Sequence, residues 1–155
     1  MSLRRRRLLL RLGSAYPLLG LFLTRIGHTA AAAGETQKAF DSRNVDDVLA
    51  SLGTSQARQS ADIVIKAPTI AENGLAVPFE VTSTIARTRS IGVVASKNPF
   101  PMVALFAIEP NAQPFASLRL KLAESSDVHA IVTTESGEIY SNSTHIRVTV
   151  GGCGG

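Results

Sequence analysis

Tryptophan is absent, and aromatic residues make up only 5% of the 155-residue chain. That scarcity argues against an aromatic sugar platform or a base-stacking surface for single-stranded nucleic acid, and it leaves the core to aliphatic side chains. Cysteine occurs once, at Cys153, so an internal disulfide is excluded. Acidic residues are missing before Glu35, whereas Arg4, Arg5, Arg6, Arg7, Arg11 and Arg25 all lie there. A long apolar run is missing too: the stretch from Leu8 to Leu23 is broken by Arg11, Gly13, Ser14 and Pro17, and a retained membrane span needs about 20 consecutive apolar residues.

What is present is a globular balance, 45% hydrophobic and 18% charged, at the length of a single domain. The formal charge of +4 suggests an anionic partner only until its location is considered. Without residues 1–33 the chain carries ten basic against twelve acidic residues, a formal charge of −2. Nothing basic remains to hold a phosphate backbone, so nucleic-acid binding is not expected.

Residues 1–33 have the order of an export signal: a basic start, an interrupted apolar stretch, and the small residues Ala30 to Ala33. Ser2-Leu3 followed by four arginines and three leucines resembles a twin-arginine signal. Cleavage is expected after Ala33, leaving a mature form that is soluble outside the cytoplasm and has no membrane segment.

The mature chain divides by pattern. Residues 34–60 read as a helix and a linker: Asn44 precedes Val45 to Leu52, with apolar positions at Val45, Val48, Leu49 and Leu52, acidic residues in the first turn, and Gly53 behind. Residues 61–150 read as seven strands, at Ala61 to Ala67, Leu75 to Ile85, Ile91 to Ala95, Met102 to Ile108, Leu118 to Leu122, Val128 to Thr134 and Ile139 to Val150. Asn98-Pro99, Pro110-Asn111, Ser125-Ser126-Asp127 and Ser136-Gly137 punctuate them. Strict alternation in Leu118-Arg-Leu-Lys-Leu122 and Ile146-Arg-Val-Thr-Val150 puts one face on a core and the other in water. The expected fold class is all-β, an immunoglobulin-like antiparallel β-sandwich with a short N-terminal helix and a flexible C-terminal tail.

Chemistry-bearing residues are sparse within the sandwich. His129 and His145 fall inside strands, at no metal-ligand spacing with a cysteine or carboxylate, so no metal and no other cofactor is expected. Glu124 and Asp127 read as solvated turn carboxylates. The last five residues, Gly151-Gly152-Cys153-Gly154-Gly155, are different. Four glycines leave the backbone almost unrestricted in φ and ψ, and ordering such a tail forfeits more backbone entropy than ordering other residues. A purely structural cysteine would gain nothing there. From Val150 the chain reaches at most about 10 Å to Cys153, which makes the tail a swinging arm able to carry a thiol into a narrow cleft.

The tail, together with Ile70-Ala-Glu-Asn-Gly74, Lys97-Asn-Pro99 with Pro101, Leu122-Ala-Glu-Ser-Ser-Asp-Val128 and Val148-Thr-Val150, resembles the SoxY family of sulfur carriers. The resemblance runs from about Ala61 to the end. It implies a non-catalytic periplasmic carrier in thiosulfate oxidation that pairs with SoxZ as a heterodimer. Cys153 would be the covalent attachment site and Gly151, Gly152, Gly154 and Gly155 the flexible arm. The thiol would be joined oxidatively to thiosulfate by SoxAX, then presented to SoxB for release of sulfate and in some systems to SoxCD. An ordinary thiol of pKa about 8.5 is only about 3% ionised at pH 7, and glycine neighbours supply no charge, so activation falls to the partner's cleft.

Two other classes compete. A ubiquitin-like carrier would convert its terminal Gly154-Gly155 to a thiocarboxylate, which needs ATP that an exported chain does not meet. A plain immunoglobulin-like binding module would not depend on the tail. Intact mass and N-terminal sequencing of the exported protein are expected to show a start near Gly34. Retention of Arg4 to Arg7 in the functional form would refute the signal assignment.

Overall fold

The computed structural model describes residues 28–52 and 57–149. Two helices, α1 (His28–Asp41) and α2 (Val45–Ser51), precede nine strands. These are β1 (Arg58–Gln59), β2 (Ile63–Lys66), β3 (Ile70–Ala71), β4 (Val77–Ser83), β5 (Thr88–Ala95), β6 (Met102–Ala107), β7 (Phe115–Leu120), β8 (Ser126–Thr134) and β9 (Ile139–Val148). They form a larger sheet in the order β1-β9-β8-β5-β6, with β3 also on β9, and a smaller sheet in the order β2-β4-β7.

The seven expected strands are all present, and the pairing among them is antiparallel. Alternation explains the seam between the sheets. In β4, Val77, Phe79 and Val81 are buried while Pro78 is exposed, and they meet Ile91, Val93, Ala95, Val128, Ala130, Val132 and Ile146 of the larger sheet. Period-two patterning thus sends one face of each sheet into a common aliphatic core. The hairpin from β8 to β9 turns at Gly137, whose φ of 83° suits glycine.

Several boundaries differ from the sequence reading. The fifth expected strand begins earlier, at Phe115, and β8 begins at Ser126, so Asp127 is a strand residue rather than part of a turn. Two short strands were not anticipated. Both β1 and β3 run parallel to β9, at Arg58↔Tyr140 and Ile70↔Arg147, and two-residue strands give no periodic signal to read.

The first helix was not anticipated either. Its sequence, HTAAAAGETQKAFD, is rich in alanine, the strongest helix former. The small residues that led to the expectation of an export signal also favour a helix. Ala39 and Phe40, which pack, lie downstream of the expected cleavage at Ala33. The second helix agrees with expectation. Asn44 caps it, accepting a hydrogen bond from the Asp47 N–H at 2.8 Å.

Together the helices cover the second face of the larger sheet. Ala39 and Val48 are fully buried against Val94, Met102, Ile131 and Ile139. This accounts for the unbroken buried run from Ile91 to Ala95 in β5, which faces the smaller sheet at odd positions and the helices at even ones. Strands buried on both faces lose their alternation. Urea denaturation is expected to place Phe79→Ala about 3–5 kcal/mol below the wild type, because a fully buried ring leaves a cavity. Asn44→Ala is expected to cost about 1 kcal/mol through the lost cap. A Phe79→Ala loss no larger than that of Asn44→Ala would contradict this account of the core.

Candidate functional site

Strand direction decides which loops surround the last strand's end. The segments 72–76, 96–101 and 121–125 all lie at the end of the sandwich where β9 finishes, because β4 starts, β5 and β7 finish and β6 and β8 start there. The four internal segments that carried the family resemblance therefore converge at one place, the root of the C-terminal tail. Cys153 and the four glycines around it lie outside the described residues.

Hydrogen bonds stitch this end together across long sequence separations. Asn98 donates from Nδ2 to the Lys121 carbonyl at 2.8 Å, and its Oδ1 accepts from the Ala123 N–H at 3.0 Å. Ser126 Oγ accepts from the Lys97 N–H at 3.1 Å. The Leu122 N–H donates to the Gly74 carbonyl at 2.8 Å, joining the two crossing loops. One asparagine side chain thus serves as a backbone-like bridge from the 96–101 loop to the residues that follow β7 in the other sheet.

The end of β9 is held in the same way. The Val148 N–H donates to Ser125 Oγ at 3.0 Å. The Thr149 N–H donates to the Ala71 carbonyl at 3.1 Å, and Thr149 Oγ1 donates to the Glu72 carbonyl at 2.8 Å. Arg147 N–H reaches the Thr69 carbonyl at 3.0 Å. The chain is therefore pinned on both edges through Thr149. Cys153 follows four residues later, within about 14 Å at full extension.

Sequence reasoning identified the tail but passed over Asn98, Ser125, Ser126 and Thr149. Asn98-Pro99 and Ser125-Ser126 were legible as turn punctuation and as part of the family resemblance, not as hydrogen-bonding bridges. Nothing in a single sequence says which distant backbone group such a side chain will meet.

The histidines stand beside this end, on the outward face of the larger sheet. His145 Nδ1 lies 2.8 Å from Asp127 Oδ1, directly across the β8–β9 pair. Both side chains are largely exposed, so the pair contributes little to stability. His129 is half-buried, with Nε2 3.0 Å from Ser96 Oγ. Burial holds its pKa below the ordinary 6.5, with a smaller opposing influence from Asp127. Among the described residues no cluster of three or more histidine, cysteine or acidic side chains could hold a metal ion. No described helix is long and apolar enough to cross a membrane. The more pronounced grooves lie away from the tail root, one between the 84–88 and 109–114 segments at the opposite end and one beside the helices at Arg89 and Leu105.

The sandwich thus holds its last strand at both edges, with Asn98, Ser125, Ser126 and Thr149 engaged by backbone. Residues 48–153 match the model of the sulfur oxidation protein SoxY. The chain belongs to the SoxY family. It is similar to the solved sulfur carrier protein SoxY from Chlorobium limicola f thiosulfatophilum, with 34% identity over 68% of this chain and 94% of that one, at a TM-score of 0.61. Two structures of the superoxide reductase (neelaredoxin) from Ignicoccus hospitalis share the fold alone. The T24K form has 23% identity over 56% of this chain and 78% of that one, and the other structure 24% over 56% and 79%, each at a TM-score of 0.50. No curated protein matches the chain at the same stringency. Its family makes the chain a sulfur carrier and not itself a catalyst.

The His129 environment sets a pH dependence. Because the native pKa is lowered, the unfolded state binds the proton first as pH falls. The associated stability is fully present above about 6.5 and is lost as pH falls from there through the lowered native value. Thermal unfolding between pH 8 and 5 is expected to show this decline, and His129→Gln is expected to flatten it. An unchanged decline in the variant would assign it to another group.

Proposed function

We propose that the chain is a periplasmic carrier in thiosulfate oxidation and that Cys153 is its covalent attachment site. The observation that carries this reading is that the family match runs through the tail to Cys153, the single thiol of the chain. The described structure supports it by placing the tail root at a stitched, rigid end. Export by the twin-arginine-like signal and pairing with SoxZ belong to the same proposal.

The chemistry is divided between carrier and enzymes. In loading, the Cys153 thiolate and thiosulfate form a sulfur–sulfur bond and give up two electrons to an external haem oxidant, the role proposed for SoxAX. The product is a Cys153 thiosulfonate. Hydrolysis by SoxB then breaks the bond between the sulfane sulfur and the sulfonate, consuming one water and releasing sulfate and two protons while a persulfide stays on Cys153. SoxCD, where present, would oxidise that sulfur further. A covalent tether keeps each intermediate at high effective concentration near successive enzymes.

Cys153→Ser is expected to abolish the thiosulfate adduct in intact-mass spectra and thiosulfate-dependent oxygen uptake, with thermal unfolding and SoxZ binding unchanged. Gly152→Val and Gly154→Val are expected to react normally with iodoacetamide yet turn over more slowly with the enzymes, since a β-branched neighbour stiffens and widens the arm. An adduct on the Cys153→Ser protein would refute the attachment site. Equal loss of iodoacetamide reactivity and turnover in the valine variants would refute the arm.

A further inference from the structure

The described residues expose five large apolar side chains, and three of them flank the tail root. Ile70 is 48% exposed and Leu75 51%, on either side of the Ala71 and Glu72 carbonyls that hold Thr149; Phe100 is 46% exposed on the loop that Asn98 anchors. The other two, Val64 and Phe115, lie on strands of the smaller sheet, Phe115 at the far end. Charge at the tail root is mixed: Lys97, Lys121, Arg147 and Arg43 are exposed, and so are Glu72 and Glu124. Phe100 also carries the Arg43 guanidinium 4.2 Å above its ring, which ties the helical layer to this end.

Tail length decides what must touch these side chains. With Cys153 no more than about 14 Å from Thr149, a cleft deep enough to surround the cysteine and its glycine neighbours uses nearly the whole arm. The mouth of that cleft is then brought against the end of the sandwich. We propose that Ile70, Leu75 and Phe100 form the docking face for the rim of the enzyme that receives Cys153. The rim meets them with apolar side chains, since Ile70, Leu75 and Phe100 offer it exposed apolar area. This inference rests on Cys153 being the attachment site.

The test uses the full mature protein with SoxZ and reads loading of thiosulfate by SoxAX beside alkylation by iodoacetamide. Leu75→Asp and Phe100→Ser are expected to lower kcat/KM for loading about tenfold each, the scale of a central apolar contact in an interface. Alkylation rate and thermal unfolding should stay at wild-type values. Val64→Asp and Phe115→Asp, exposed apolar positions outside the face, are expected to load normally. Loading by the wild type should change by less than about threefold between 50 and 300 mM NaCl, because apolar contact is little affected by screening.

Normal loading of Leu75→Asp and Phe100→Ser, or an equal loss in the Val64 and Phe115 variants, overturns the docking face while Cys153→Ser still loses its adduct. A steep fall of loading with salt overturns the apolar rim. An adduct on Cys153→Ser overturns the attachment site and the docking face with it.

Discussion

The pinning of β9 at Val148 and Thr149 is the constraint on which the architecture of the carrier turns. Under the proposed attachment at Cys153, the reach of a glycine tail, whose backbone is almost unrestricted in φ and ψ, is measured from the place where Val148 and Thr149 are held. Ser125 Oγ holds Val148 on one edge, and the Ala71 and Glu72 carbonyls hold Thr149 on the other. If Thr149 were free to fray, the radius available to Cys153 would grow by each released residue, about 3.5 Å at a time. The short β3 gains its purpose here: two residues of parallel pairing are too few to add much to the sheet, but Ala71 and the flanking Thr69 and Glu72 supply the carbonyls that hold the end of β9.

Holding one strand end firmly requires a firm sheet beneath it. The central strands β5 and β8 of the larger sheet are buried over much of both faces, by β2, β4 and β7 on one side and by α1 and α2 on the other. Ile131 and Val94 therefore pack against helices while Val93, Ala130 and Val132 pack against the smaller sheet. A strand with packed neighbours on both faces opens only with much of the domain, whereas a half-exposed strand can fray locally. β9 borrows that stability from β8 along eight paired positions, Ser126↔Ile146 to Thr133↔Ile139. The three loops at its end, bridged by Asn98 and Ser126, then carry little slack.

Much of this was legible in the sequence, for identifiable reasons. Alternation in Val77 to Val81 and in Leu118 to Leu120 fixed the faces of the smaller sheet, and turn residues separated the strands. The tail announced itself through composition alone. The helical layer was half hidden: Asn44 and its acidic first turn marked α2, but the alanines of α1 were read as the end of an expected export signal, so their helix-forming character went unused. The stitches at the tail root were hidden altogether. Asn98 and Lys121 are 23 residues apart, and Ser125 and Val148 likewise, so the partners become neighbours only after the whole sandwich has formed.

The same stitches explain why this end can serve a carrier without acting as an enzyme. Asn98, Ser125, Ser126 and Thr149 each have a hydrogen bond to backbone, so these four uncharged polar side chains at the tail root are already engaged. Under the proposed attachment at Cys153, the thiolate, the thiosulfonate and the persulfide then meet much the same surroundings. A carrier that stabilised one of them selectively would deepen that state and raise the barrier for the next transfer by the same amount. Neutral glycines and a self-satisfied platform avoid such a bias. Discrimination between the loaded states is then left to the clefts that receive the arm, where desolvation and charge can be matched to one intermediate at a time.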